Sequence, residues 1–134
     1  MYVEDHCRAI EAVVMASDIG ETYNVGGGGY RPTNLEMVGT ICGLMDKIIP
    51  RKDGKAYAEL ITHVEDRKGH DSRYAIDYSK LQQTLRWEPH ETLESGLTKT
   101  IQWYVGNPEW VKGICNKPEY LAWVKYNYSE RGVV

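Results

Sequence analysis

The 134-residue sequence contains no phenylalanine, although it carries ten tyrosines and four tryptophans. Its aromatic rings therefore nearly all end in a polar group. That suits interfaces and ligand walls, and equally a core in which tyrosine replaces phenylalanine. Cysteine is scarce: Cys7, Cys42 and Cys115 are far apart, odd in number and without C-x-x-C spacing. They read as reduced thiols of a cytosolic protein. No apolar run approaches the roughly 20 residues of a membrane span. The opening "MYVEDH" is short and acidic, unlike a signal peptide. Positive charge is in deficit, with a formal net charge of −3 and no basic stripe interleaved with aromatics. This argues against a nucleic-acid partner held by phosphate attraction. What remains is a soluble, cytoplasmic chain of ordinary globular composition, one domain in size and long enough to bury a core.

Helical spacing dominates the pattern. "EDHCRAIEAVVMAS" places Ala9, Ile10, Ala12, Val13 and Val14 at helical intervals with acids at its start, predicting a helix from about Glu4 to Ser17. "ETYNVGGGG" reads as a short strand closed by glycines. "TNLE" is a capping box, with Thr33 as cap and Glu36 reaching back. The helix that follows carries Leu35, Val38, Ile41, Cys42, Met45 and Ile48 on one face and closes at Pro50. "RKDGKAYAE" is a polar connection, and "LITHV" and "RYAID" are short strands flanking a basic loop. "YSKLQQTLRW" is a short helix. "ETLESGLTKTIQWYVGN" is a helix capped by Thr92, with Leu97, Ile101, Tyr104 and Val105 as its buried stripe. In the tail, Pro118 opens a last helix carrying Leu121 and Val124. Three isolated strands of about five residues do not make a self-sufficient sheet. The first helix also has nothing before it to pack on, so the chain reads as the latter part of something larger.

Complete catalytic constellations are absent. Gly26 and Gly28 fit the first two glycines of a dinucleotide loop, but the third position is Arg31, and the acidic residue expected about 20 residues on is missing. There is no P-loop lysine and no nucleophile elbow. None of the tyrosines has a lysine four positions on, the spacing that sets an ammonium beside a phenol. Glu65 and Asp66 are adjacent and point to opposite faces of a strand. His63 and His70 lack a partner set at metal-binding spacing. No catalytic, cofactor-binding or metal-ligating residue is assigned.

One stretch stands apart. "EDRKGHDSRYAID" gathers Arg67, Lys68, His70 and Arg73 around Gly69, which permits a tight backbone. Guanidinium forks grip phosphate oxygens bidentately and stay charged at any pH, so Arg67 and Arg73 form a credible diphosphate clamp with His70 as a further donor. Charge alone favours the plainer alternative, a solvated loop neutralised by Asp66 and Asp71.

"YVEDHCRAIEAVV", "GETYNVGG", "HVEDRKGHDSRYAID", "LRWEPHETLESGLTKTIQWY" and the "YNYSER" tail follow in an order and spacing that resembles the C-terminal portion of the dTDP-glucose 4,6-dehydratase family. These are extended short-chain dehydrogenases/reductases acting on nucleotide sugars. The resemblance runs from Tyr2 nearly to Arg131. It implies that Asn24 contacts the phosphate region of a nucleotide sugar and that Arg67 and His70 lie in a diphosphate-binding loop. Arg73 is a weaker member of that set, and Tyr128 would close the pocket. It thereby turns the reading of the basic loop toward the clamp. The chain departs from the family at Lys68, where proline is usual, at Ser72, where a basic residue is usual, and at Gly28 and Gly29, which replace more polar residues.

In the family, the glycine-rich NAD loop, the Tyr-x-x-x-Lys pair and the Asp-Glu acid/base pair lie in the N-terminal half, and none is present here. The family oxidises the sugar at C4 by hydride transfer to NAD, eliminates water across C5 and C6, and returns the hydride to C6. The expectation is a single nucleotide-sugar-binding portion over residues 1–134. It should be α/β by ancestry and mostly helical as isolated, with few short strands and the Rossmann core missing. It should bind no NAD and catalyse no turnover alone. Its expected partners are dTDP-glucose or a related nucleotide sugar, an N-terminal Rossmann half supplied by another chain, or further copies of itself.

Overall fold

The computed structural model describes residues 1–29, 31–63, 69 and 74–128. It is helical: α1 (Val3–Ala16), α2 (Asn34–Ile48), a 3₁₀ turn (Tyr57–Leu60), α3 (Ser79–Leu85), α4 (Leu93–Gly106), α5 (Pro108–Cys115) and α6 (Pro118–Tyr128). Local chemistry explains most of the ends. Thr33 Oγ1 accepts the Glu36 amide at 3.2 Å while the Glu36 carboxylate accepts the Thr33 amide at 2.7 Å, so the expected capping box starts α2. Thr92 does the same for α4, accepting the Ser95 amide at 3.1 Å. α5 was not foreseen. Pro108 stands at its first turn, where a missing N–H costs nothing, so the chain restarts a helix immediately after Asn107.

The three expected strands do not form among the described residues. Residues 21–28 and 74–78 are irregular, Leu60 belongs to the 3₁₀ turn, and 61–63 have no regular structure. A strand needs a neighbour to satisfy its backbone groups, and single short segments have no sheet to join. The alternation of a strand persists nonetheless. Tyr23 and Val25 pack inward while Asn24 between them is exposed.

The core is small. Ala9 of α1, Leu81 of α3 and Trp87 are buried together, with Val13, Tyr23, Val25 and Tyr78 packed around them. Tyr78 meets the Trp87 ring edge-on at 5.9 Å. α2 also packs against the 3₁₀ turn and against α4, and Leu44 of α2 and Ile101 of α4 are buried. The expected α4 stripe is only partly inward, since Tyr104 and Val105 are exposed, as are Leu35 and Val38 of α2.

One buried polar residue ties the ends of this core together. Asp5 is 2% exposed. One carboxylate oxygen accepts the His90 amide at 3.0 Å and the other the Glu91 amide at 3.0 Å. Arg8 pairs with the same carboxylate and donates to His90 Nε2 at 2.9 Å. Burial pushes the Asp5 carboxyl up, but the Arg8 hydrogen bond and the two amides outweigh it and hold the group below its ordinary 3.8. The turn that launches α4 is thus fastened to the first turn of α1.

Much apolar surface is left uncovered. Val3, Cys7, Ile10 and Val14 form an exposed stripe on α1, opposite the face that Ala9 buries. α5 and α6 bury no residue at all.

Candidate functional site

The segment carrying Asn24 lies against the segment that leaves the basic loop. At Gly26, an added Cβ would sit 3.0 Å from the Ile76 carbonyl oxygen and 3.0 Å from the Tyr78 ring, so the two stretches touch closely enough that a side chain would crowd them. Lys80, in the first turn of α3, donates to the Glu21 carboxylate at 2.6 Å and to the Thr22 carbonyl at 2.9 Å. The Asn24 side chain is exposed on the opposite side from Tyr23 and Val25 and engages no partner among the described residues.

Arg67, His70 and Arg73 lie outside the described residues. Gly69, the member of that loop which is described, has a φ of +71°, a left-handed turn that a side chain would strain. Tyr128 closes α6, which packs against α5, and its ring meets Trp123 edge-on at 6.1 Å. Of the residues named from the sequence, the structure therefore sets Asn24 beside the chain that follows Arg73, and it carries Tyr128 on a separate helical arm.

The glycine run does not fit a dinucleotide. Gly26 is filled by Ile76 and Tyr78, and an added Cβ at Gly27 would meet the Met1 Cβ at 2.6 Å. A dinucleotide loop needs those glycines open to the pyrophosphate and a free helix N-terminus beyond them. Here the N-terminus of α2 is already taken by the Thr33 hydroxyl and the Glu36 carboxylate. The backbone hydrogen bond from Thr33 holds that carboxyl below its ordinary value, so it is an anion where a phosphate would have to sit. The glycine run therefore lacks the open backbone and the free helix N-terminus of a dinucleotide loop.

Sequence reasoning missed a broad cleft of about 1380 Å³ between α1, the glycine run, α2 and α4, with Tyr2, Met37, Leu97, Trp103 and Trp110 in its wall. Its charged lining is Glu4, Glu91 and Glu94, so it repels a diphosphate rather than holding one. Lys99 stands at its edge, bonded to Glu91 at 2.5 Å and 5.5 Å from the Tyr2 ring centroid. No signal in the sequence links residues so far apart.

Comparison with known proteins places this architecture. A crystal structure of dTDP-glucose 4,6-dehydratase from Bacillus anthracis in complex with NAD superposes with a TM-score of 0.65 at 42% identity, over 81% of this chain and 31% of that one. The class is that of the short-chain dehydrogenase/reductase dehydratases, represented among the described residues by helices. The chain belongs to the GDP-mannose 4,6 dehydratase family, whose sequence model matches residues 1–100. Among curated relatives, the dTDP-glucose 4,6-dehydratase of Escherichia coli is 47% identical over 131 residues, and that of Xanthomonas campestris pv. campestris 50% identical over 114. The match to the former takes in 98% of this chain and 35% of that protein, so the chain spans about a third of the length of such relatives.

Proposed function

We propose that this chain is the C-terminal, nucleotide-sugar-binding part of a dTDP-glucose 4,6-dehydratase, supplying the diphosphate wall of the site and no catalytic group. The observation that carries the reading is the seating of the Asn24 segment against Ile76 and Tyr78. It sets an unengaged amide side chain beside the chain that leaves the Arg67–Arg73 loop. Arg67 and His70 grip the diphosphate, Arg73 adds charge, and Tyr128 closes over the ligand. The identity to dTDP-glucose 4,6-dehydratases across 98% of the chain supports the same substrate class.

Turnover requires the NAD-binding and acid/base groups of the remaining two-thirds of such an enzyme. The chain alone is therefore inactive. A second reading, favoured by the uncovered face of α1, makes it a subunit completed by a separate Rossmann half. A third makes it a non-catalytic module that associates with its own copies through the same apolar surface. Among the described residues no helix is long and apolar enough to cross a membrane, and the reading places the chain in the cytoplasm.

Thermal unfolding with added dTDP-glucose tests the proposal, because a ligand that binds only the folded state raises the melting temperature by mass action. A rise with dTDP-glucose and with dTDP, and none with glucose, is expected. No rise with any of the three counts against a nucleotide-sugar site.

A further inference from the structure

We propose that Lys80 is a positioning residue for Asn24, holding the backbone on which that side chain is presented; the inference rests on Asn24 being a nucleotide-sugar contact. An ammonium has three N–H donors on a flexible stem. That of Lys80 donates to the Glu21 carboxylate at 2.6 Å and the Thr22 carbonyl at 2.9 Å, and stands 4.7 Å from the centroid of the Tyr23 ring. Its three partners are consecutive residues, and they end one position before Asn24. The base of the lysine is anchored, because the next residue, Leu81, is wholly buried in the core. On the far side of Asn24, Gly26 is wedged against Ile76 and Tyr78. Asn24 is thus held at both flanks, and its side chain engages no partner among the described residues.

Stability is a poor explanation for the arrangement. The Lys80 and Glu21 side chains are 51% and 47% exposed, and ion pairs in that setting contribute little. The hydrogen bond between them nonetheless raises the lysine and lowers the glutamate, as expected of a contact held in place. What the contact changes is the freedom of residues 21–23 and, through them, the aim of Asn24.

Two variants of the full chain test this. Lys80→Met keeps the stem and removes the cation, while Lys80→Arg keeps the charge and refills the carboxylate and ring contacts. Backbone order parameters at Thr22–Val25, read by NMR relaxation, are expected to fall toward those of a flexible loop in Lys80→Met, with Leu81 and Ile101 unchanged. Lys80→Arg should restore them. Affinity for dTDP-glucose, read by calorimetric titration, should weaken about tenfold in Lys80→Met and recover in Lys80→Arg, at a melting temperature close to wild type. Order parameters at 22–25 that ignore the Met substitution overturn the tether. Lower order with unaltered affinity overturns the positioning role. A wild-type chain that takes up no dTDP-glucose overturns the reading of Asn24 instead, and the order parameters show whether the tether stands without it.

Discussion

Asp5 and Glu91 are 86 positions apart and meet through a single hydrogen bond, from the Glu91 amide to a carboxylate oxygen of Asp5 at 3.0 Å. With the His90 amide on the other oxygen, this bond joins the first turn of α1 to the turn before α4. Removing the carboxylate leaves two amides without their acceptor and the Arg8 guanidinium without its counter-ion. Asp5→Ala is expected to destabilise the chain by about 3 kcal/mol, measured by urea unfolding. A loss no larger than that of a surface substitution would show that the clasp is incidental.

The same carboxylate sets an acid limit. Its folded-state pKa lies below the ordinary 3.8, so the unfolded chain takes up a proton at a higher pH than the folded one. The stabilisation is complete above that ordinary value and is lost as the pH falls through the lower folded value. Glu91, lowered chiefly by its Lys99 hydrogen bond, acts in the same direction over its own range. Melting temperatures from pH 7 to pH 2.5 should therefore fall more steeply below pH 4 for wild type than for Asp5→Asn. Parallel curves would contradict the assignment.

Arg86 ends α3 with a φ of +51°, in the left-handed region that glycine adopts without strain. Arg86→Gly is expected to stabilise the chain by about 0.5 kcal/mol, the relieved strain being partly offset by the greater freedom of an unfolded glycine. Chemical denaturation reads the sign directly, and a clear loss of stability would mean that the arginine side chain makes a contribution larger than the strain.

The uncovered face of α1 predicts association. Ile10 and Val14 are exposed on the stripe opposite Ala9. Sedimentation velocity should show mass rising with concentration, and Val14→Glu should suppress it while changing stability by no more than about 0.5 kcal/mol. A monomer at all concentrations would remove the self-associating alternative.

Helices were legible in the sequence wherever a local signal marks the end. Thr33 with Glu36, Thr92 and Pro118 each act on groups within one turn, so their effect is written in neighbouring residues. The helix that begins at Pro108 was not foreseen, because Pro108 reopens a helix directly after Asn107 with no intervening loop. The strands were misread for a different reason. "ETYNV" and "RYAID" have the right alternation, which Tyr23, Asn24 and Val25 keep, but pairing requires a sheet that no local pattern supplies. The Asp5 clasp and the acidic cleft were invisible because their parts come from opposite ends of the chain. The clamp is a proposal from charge and resemblance: Gly69 has a left-handed φ of +71°, and Arg67, His70 and Arg73 lie outside the described residues.

The central claim is tested most directly by calorimetric titration of the purified chain with dTDP-glucose, beside an Arg67→Ala control. The account predicts saturable binding that the substitution abolishes, with dTDP competing for the same site. A folded chain that binds no dTDP-glucose, or binds it equally well without Arg67, would contradict it.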